Sequence, residues 1–342
     1  MNYDAILVTS FGGPEQANDV MPFLENVLRG KNVPRERMLE VAEHYYEFGG
    51  KSPINEQNRR LIAALEAELA EHGPKLPVYW GNRNWHPLLK DTLQQMTADG
   101  IRHALAFVTS AYSSYSGCRQ YREDIARAQE AVGAGAPVVD KLRAFFNHPG
   151  FIEAVTDRVR EAFGKIPKER RGSARLVYTA HSIPLSMAQG CDYEKQLRET
   201  GRLVAEELSR SENELQDNSW QLVYQSRSGP ASQPWLEPDI LDYLRQLKAE
   251  GRVTDVVVAP IGFVSDHMEI IFDLDTQARD LCSQLRLNMV RAGTAGTHPR
   301  FIRMIRELIC ERVEGSETRP ALGVLGPRPD VCAIDCCLNP RR

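Results

Sequence analysis

Short runs of residues that are apolar throughout recur along the chain, and they constrain its fold more than any other feature. They occur at residues 5–9, 78–81, 105–109, 137–139, 176–180, 222–224, 256–259 and 289–290. Strands with no polar face are typical of parallel sheets, which are buried on both sides. Between them, apolar residues recur at helical spacing over 58–71, 148–163, 193–208, 238–247 and 299–313. The alternation of strand and helix predicts an α/β protein with parallel sheets.

The distribution of these runs predicts two similar Rossmann-like domains of four strands each. We expect them to cover residues 1–145 and 146–297, with a Cys-containing tail over 314–342. The first strand is followed by Gly12-Gly13-Pro14, which is not the glycine pattern of a dinucleotide site. No phosphate-binding G-x-x-x-x-G-K-[ST] motif occurs either. A dinucleotide-dependent enzyme is therefore disfavoured.

Composition excludes several other classes. The chain has 342 residues, 42% of them hydrophobic, and a formal net charge of −4, so neither a disordered chain nor a nucleic-acid-binding protein is expected. No apolar run reaches the ~18–20 residues of a membrane span. Residues 1–5 lack a basic leader, and seven cysteines do not suggest a secreted disulfide framework. We expect a cytoplasmic enzyme or binding protein.

The carboxyl ends of parallel strands are where open α/β sheets bind ligands, and His181 follows such a strand. An imidazole there can accept a proton or bind a metal through a neutral ring nitrogen. A solvated loop histidine with no function is an equally open interpretation.

An acidic segment follows the strand at 256–259. If a helix begins at residue 266, Asp266, Glu269 and Asp273 lie on one face and could guide a cation. Alternatively, Asp266 caps the helix, and the acidic residues of its first turn complement the helix dipole. Asp273 lies beyond the reach of that dipole effect.

Three cysteines lie within the last eleven residues, where packing gives no reason for them. Four thiolates suit zinc or an iron–sulfur cluster, so a fourth cysteine must come from upstream. Cys118 is the candidate and Cys191 the reserve, whereas Cys282 and Cys310 lie in helical patterns and fit a core. The predicted ligands are Cys118, Cys332, Cys336 and Cys337.

Several separated segments together resemble the ferrochelatases, enzymes that insert Fe2+ into a porphyrin, and are similar to the actinobacterial type. Two carry the catalytic signatures, namely residues 179–184 (Thr-Ala-His-Ser-Ile-Pro) and 262–269 (Gly-Phe-Val-Ser-Asp-His-Met-Glu). The others are residues 10–15, 22–27, 44–55, 81–85 and 225–230. The resemblance extends over nearly the whole chain.

The resemblance implies a porphyrin bound in the cleft between the two Rossmann-like domains, with the helix at 298–313 packing back on the first domain. His181 and Glu269 would be catalytic, forming the Fe2+ site and facing each other across the macrocycle centre. Asp273 would continue an acidic row that leads iron inward. Because His181 must be neutral to bind iron or take a proton, we expect activity to fall below about pH 6.5.

The resemblance also implies how the macrocycle is held. Ser52 and Tyr121 match positions that bind porphyrin propionates, with Arg29 and Tyr45 as helpers and Phe11 beside the ring. Part of the hydrophobic lip of the pocket would come from Met21, Phe23 and Leu24.

The actinobacterial type acts on coproporphyrin III, and many members carry a [2Fe–2S] cluster, here on the four predicted cysteine ligands. Fe2+ is then a substrate, the product is iron-coproporphyrin III, and transient contacts with other haem-pathway enzymes are expected. Two alternatives remain open: a ferrochelatase acting on protoporphyrin IX, and a non-catalytic relative that binds haem or a cluster.

Three positions depart from the family pattern. Phe11 stands where some relatives have a tyrosine able to ligate the metal, so no oxygen ligand is expected there. Gln277 stands where relatives continue the acidic row, which shortens the iron path by one charge. The terminal cysteines, Cys332-x3-Cys336-Cys337, have an unusual spacing.

Overall fold

The structure, a computed structural model, describes residues 2–31, 33–212, 220–229 and 232–339. It contains all eight predicted strands, arranged as two four-stranded parallel sheets. The first sheet comprises β1 (Ala5–Ser10), β2 (Val78–Asn82), β3 (His103–Val108) and β4 (Val138–Lys141). The second comprises β5 (Arg175–His181), β6 (Trp220–Gln225), β7 (Asp255–Ala259) and β8 (Asn288–Arg291). The strand orders are β2-β1-β3-β4 and β6-β5-β7-β8, which confirms the predicted fold class.

The helices alternate with the strands. The first half contains α1 (Ala17–Leu28), α2 (Arg35–Tyr46), α3 (Ile54–His72), α4 (Leu89–Ala98), a π-helix π1 (Tyr115–Arg119) and α5 (Gln120–Val132). The second half contains α6 (Pro149–Phe163), α7 (Lys168–Arg171), α8 (Leu185–Ala188), α9 (Tyr193–Glu212), α10 (Ile240–Glu250), α11 (Met268–Ile270), π2 (Ile271–Ala278), α12 (Arg279–Leu285) and α13 (Pro299–Val313). Within the described ranges, no helix is both long and apolar enough to cross a bilayer.

The five predicted helices are present, and helical structure also follows residue 266 as considered from the sequence, whereas several other helices carry no signal that we recognised. Among these, α1 and α2 pack on each other around a small core of their own. Only Met38 and Ala42 of α2 are buried, so most of this charged helix offers no apolar periodicity to recognise. The α1–α2 pair bears on function because it carries Tyr45 and the predicted lip residues Met21, Phe23 and Leu24, and Arg29 directly follows α1.

A continuous core links the first half of the chain to α13. The rings of Phe145 and Phe151 lie 5.5 Å apart between centroids, and Phe301 of α13 is 6.0 Å from Phe151. Arg143 donates two 2.8 Å hydrogen bonds to the buried carboxylate of Glu311. The helix α13 therefore contacts α3 and α6, while the domain boundaries at 145 and 297 remain predictions.

Loops at the carboxyl ends of the two sheets contact each other. Tyr112, which follows β3, donates its hydroxyl to the carbonyl of Ile261, which follows β7, at 2.9 Å. The backbone N–H of Asp266 donates to Oε1 of Gln57 on α3 at 2.8 Å. These contacts bring the ligand-binding edges of both sheets to one region.

Candidate functional site

The carboxyl end of the second sheet collects most of the predicted catalytic residues. His181 is the last residue of β5 and pairs in register with Gln225, the last residue of β6. The loop after β7 passes close to this edge because Gly262 has no side chain. A Cβ there would lie 2.6 Å from Cα of Ala180, and the N–H of Gly262 donates to the carbonyl of Thr179 at 3.0 Å.

The next helix begins two residues later than the start considered from the sequence. His267 is its N-cap, accepting the N–H of Glu269 at Nδ1. Asp266 therefore does not cap the helix and does not join the row of Glu269 and Asp273. Its carboxylate is paired with Arg291 at 3.2 Å and accepts the hydroxyl of Thr294, so both sequence interpretations of Asp266 were wrong.

His181 and Glu269 form the centre of the site. Nε2 of His181 lies 3.4 Å from Oε1 of Glu269, and Oε2 of Glu269 lies 3.8 Å from Nδ1 of His267. Nδ1 of His181 is hydrogen-bonded to the carbonyl of Ser182, which directs Nε2 toward the carboxylate. Tyr193 donates its hydroxyl to the His181 carbonyl at 3.1 Å, fixing the backbone as well.

The spacing of the pair suits one shared cation. Two ligand atoms each ~2.0–2.2 Å from a metal, at ordinary angles, are about 3.0–3.5 Å apart, and the observed separation is 3.4 Å. Within the part of the chain that the structure describes, no group of three or more His, Cys, Asp or Glu side chains is arranged to hold a metal. A cation on the pair would thus keep positions open for water or substrate.

This separation corrects the expectation that His181 and Glu269 face each other across the macrocycle. A flat ring between two groups needs about 7 Å, twice the ~3.5 Å carbon contact distance. At 3.4 Å the two side chains can address a ring only from the same side.

The electrostatics of the pair differ from those of a free imidazole. Burial would lower the pKa of His181, but the neighbouring Glu269 carboxylate outweighs it and raises the pKa to about 9. Burial opposes ionisation of Glu269, yet His181 lowers its pKa to about 2. At neutral pH these pKa values make the site an ion pair that holds one proton, so a free imidazole is not the right reference for His181; the pH dependence of activity stays a prediction.

Asp273 lies four residues after Glu269, inside π2. Its Oδ2 accepts hydrogen bonds from Nε2 of Gln225 at 3.3 Å and from the hydroxyl of Ser226. Burial raises the pKa of Asp273 to about 7, with the Ser226 hydrogen bond lowering it and the Glu269 charge raising it. π-helical turns occur frequently at functional sites, and this one places the second carboxylate beside the first.

A ring stack joins α2 to π2. The rings of His44 and Phe272 are 3.6 Å apart between centroids and only 15° from parallel. Tyr45, the next residue, lies close enough to Glu269 that its pKa is raised by burial first and by that carboxylate second. The helix pair α1–α2 therefore lies over the acidic row, an arrangement that no sequence signal indicated.

The predicted porphyrin-binding residues fall into accessible and buried groups. Phe11 is 38% exposed, and its ring is 6.2 Å from that of Phe23. Arg29 is exposed immediately after α1. In contrast, Tyr121 is only 4% exposed, with the Arg83 guanidinium 4.5 Å above its ring.

Ser52 also belongs to the buried group. Its hydroxyl accepts the N–H of Ile54 at 3.5 Å, at the start of α3, and its own N–H donates to the carbonyl of Pro14. Ser52 and Tyr121 are therefore buried against protein groups, and binding a propionate would require neighbouring side chains to move.

The cysteines of the tail lie near π1. Cys118 in π1 is buried, and a hydrogen bond from Cys332 lowers its pKa to about 5. Sγ of Cys336 is 3.5 Å from Sγ of Cys337. Arg119 donates to the carbonyls of Ile334 and Cys336 at 2.7 and 3.0 Å, which fastens the tail to π1.

Cys191 lies in the same neighbourhood. Burial raises its pKa first, and the charges of Cys336 and Cys118 raise it further. The thiols thus form two pairs with Cys191 nearby, and the choice between Cys118 and Cys191 as a fourth ligand remains open.

The fold and site first define a class: a two-sheet α/β protein with the architecture of metal chelatases. SirB from Bacillus subtilis with Fe3+ has a TM-score of 0.54 at 13% identity, covering 92% of this chain and 98% of that chain. The cobalt complex of the sirohydrochlorin chelatase SirB from Bacillus subtilis subspecies spizizenii has a TM-score of 0.52 at 11% identity, over 92% of this chain and 97% of the other. At such identities the likeness establishes the fold alone.

Sequence comparison supplies the family. The Ferrochelatase family model matches residues 3–313. A ferrochelatase from Rhodopirellula baltica is 58% identical over 99% of this chain and 95% of its own length. A coproporphyrin III ferrochelatase from Streptomyces coelicolor is 50% identical over 98% of this chain and 93% of its own length. The chain belongs to the ferrochelatase family.

Proposed function

We propose that the protein is a coproporphyrin III ferrochelatase, a lyase that exchanges the two pyrrole protons of the macrocycle for Fe2+. The observation that carries the proposal is the 3.4 Å pair of His181 and Glu269, with Asp273 behind it, in a chain of this family. Relatives named for coproporphyrin III chelation, at about half identity over almost the full chain, support the choice of porphyrin.

In this proposal iron reaches the pair along the carboxylates. Asp273 receives the cation, and Nε2 of His181 and the Glu269 carboxylate then replace part of its water shell. Because the resting pair holds one proton, His181 must lose that proton before Nε2 can bind iron.

The porphyrin must present its nitrogen lone pairs toward the side from which the pair approaches. In a flat ring those lone pairs lie in the ring plane. Binding energy from the ring faces and propionates can be used to distort the ring and direct them outward. The exposed ring of Phe11, which packs against the buried ring of Phe23, offers an apolar surface for one face.

In this proposal polar side chains around the α1–α2 pair bind the propionates. Arg29 and Tyr45 are assigned as helpers, and Ser52 and Tyr121 as direct partners once the side chains that bury them move. The four propionates of coproporphyrin III, against two in protoporphyrin IX, give this set more carboxylates to bind.

Anaerobic Fe2+ insertion, followed by absorbance with each porphyrin in competition, tests the proposal. We expect coproporphyrin III to be metalated preferentially and His181→Ala to abolish metalation while still binding porphyrin. Preference for protoporphyrin IX would select the other chelatase. No insertion into either porphyrin by wild-type protein would select a non-catalytic haem-binding relative, and wild-type turnover by His181→Ala would remove His181 from the mechanism.

We also propose a [2Fe–2S] cluster on Cys118, Cys332, Cys336 and Cys337. Support comes from the donor chemistry: four thiols, one of them with a lowered pKa, near one another and near the anchored tail. In the described residues these thiols form pairs rather than a closed set of ligands, so the two pairs must come together around the cluster. The cluster would be a structural or redox group outside the steps above.

Colour tests the cluster directly. Anaerobically purified protein should be red-brown, and Cys336→Ser should bleach it, while Cys282→Ser, at a buried cysteine of the core on α12, should not. Colourless wild-type protein with stoichiometric zinc would favour a zinc site instead.

Location and partners complete the proposal. We assign the protein to the cytoplasm, where contacts with the enzymes that supply the porphyrin and use its iron complex would be transient.

A further inference from the structure

Gln225 makes two contacts with the acidic helix, the continuous segment of α11 and π2 that carries Glu269 and Asp273. Its Nε2 donates to the backbone carbonyl of Glu269 at 3.1 Å and to Oδ2 of Asp273 at 3.3 Å. Gln225 is 1% exposed and pairs in register with His181. One amide therefore spans a single turn of the helix, from the peptide of the first carboxylate residue to the carboxylate of the second.

Ser226 adds a second donor to the same oxygen. Its hydroxyl donates to Oδ2 of Asp273, so both hydrogen bonds end on one oxygen and neither engages Oδ1. A carboxylate held in this way keeps one orientation and leaves its other oxygen for a cation.

The backbone of Ser226 is in a conformation that serine rarely adopts. Its φ is +61°, in the left-handed region, where glycine is comfortable and other residues are strained. The conformation directs the chain from β6 toward the acidic helix. A serine is less stable than a glycine in this backbone conformation, but it supplies a hydroxyl. Backbone strain of this kind clusters at functional sites.

We propose that Gln225 and Ser226 are positioning residues that orient the Asp273 carboxylate beside Glu269 and so set the affinity of the enzyme for incoming Fe2+. The inference rests on the proposed function, since it assigns these residues to the iron path of that reaction. They act through Asp273, to which both side chains donate hydrogen bonds.

Two substitutions at Ser226 separate positioning from structural support. Ser226→Gly removes the hydroxyl but relieves the left-handed backbone, so we expect the KM for Fe2+ to rise about fivefold to tenfold with an unchanged or higher Tm. Ser226→Thr keeps the hydroxyl and adds a β-branched side chain at positive φ. We expect its KM for Fe2+ to stay within about twofold while its Tm falls.

The control is Ser228→Gly, the same substitution at an exposed serine of the same segment. Fe2+ insertion is measured at saturating coproporphyrin III, and Co2+ binding without porphyrin is measured by calorimetry. We expect Ser226→Gly and Gln225→Leu to raise the KM for Fe2+ and to lower the affinity for Co2+. The kcat and the porphyrin affinity should change far less.

The outcomes are distinguishable. If wild-type enzyme inserts iron and Ser226→Gly keeps the wild-type KM, or if KM and Tm worsen together in both variants at position 226, the positioning role is overturned. If wild-type enzyme inserts no iron, the proposed function itself has failed. Co2+ affinity lowered by Ser226→Gly but not by Ser226→Thr supports the positioning role in either case.

Discussion

Metal binding to the His181–Glu269 pair should be strongly pH-dependent, because a metal must displace the proton that the pair holds. With the pKa of His181 at about 9, the apparent Kd for a divalent ion falls about eightfold from about pH 7.5 to about pH 8.5. Glu269→Gln removes the carboxylate charge that raises the pKa of His181. Burial should then lower that pKa below its ordinary 6.5. The same pH interval should then leave the Kd almost unchanged, although binding is weaker throughout.

Co2+ titrations without porphyrin measure this dependence, and repeating them in buffers of different ionisation enthalpy counts the protons released. We expect nearly one proton per Co2+ for wild-type protein at about pH 7.5 and close to none for Glu269→Gln. Asp273→Asn is the matched control, since the pKa of Asp273, about 7, lies below this interval. A wild-type Kd that does not change with pH, or a slope that survives in Glu269→Gln, would refute the ion-pair argument.

Folding stability follows the same pair. The pKa of His181 is raised on folding, so its stabilising contribution is complete below pH 6.5 and lost as pH rises through about 9. The pKa of Glu269 is lowered, so its contribution is present above pH 4.5 and lost as pH falls through about 2. Wild-type protein should therefore lose more stability than His181→Ala between about pH 7 and pH 9, as measured by urea unfolding.

Further substitutions test other parts of the account. Glu269→Gln should reduce kcat for iron insertion more than Asp273→Asn, and the reverse order would move the iron site along the helix. Gly262→Ala should destabilise the fold by at least ~1–3 kcal/mol, because the added Cβ meets backbone at 2.6 Å, and a wild-type urea midpoint would contradict this. His44→Ala, which removes the stack on Phe272, should cost about 0.5–1.5 kcal/mol and speed porphyrin association in stopped flow. An unchanged association rate would mean that α2 does not close over the site.

The strands and the catalytic pair could be predicted because both depend on local signals. Strands such as β1, buried at every residue, have no polar face, so periodicity alone identifies them. His181 and Glu269 could be placed at one sheet edge because parallel strands end together. Their separation could not be predicted, since it depends on where the loop through Gly262 turns.

The parts that sequence reasoning missed depend on contacts between distant segments. The stack of His44 on Phe272 joins helices from opposite halves of the chain and leaves no trace in either local sequence. The start of α11 was placed two residues early because Asp266 resembles an N-cap, whereas its carboxylate is bound by Arg291 on β8. The role of Gln225 had one available signal, its register with His181, which follows once the strands are aligned.

In the proposed function His181 and Glu269 hold one metal ion together, from one side of the macrocycle. The most direct measurement is a crystal structure with bound Co2+, located by its anomalous scattering. We expect the ion at ~2.0–2.2 Å from both Nε2 of His181 and a carboxylate oxygen of Glu269, with other positions open. An ion bound elsewhere, with His181 and Glu269 still paired with each other, would contradict the account.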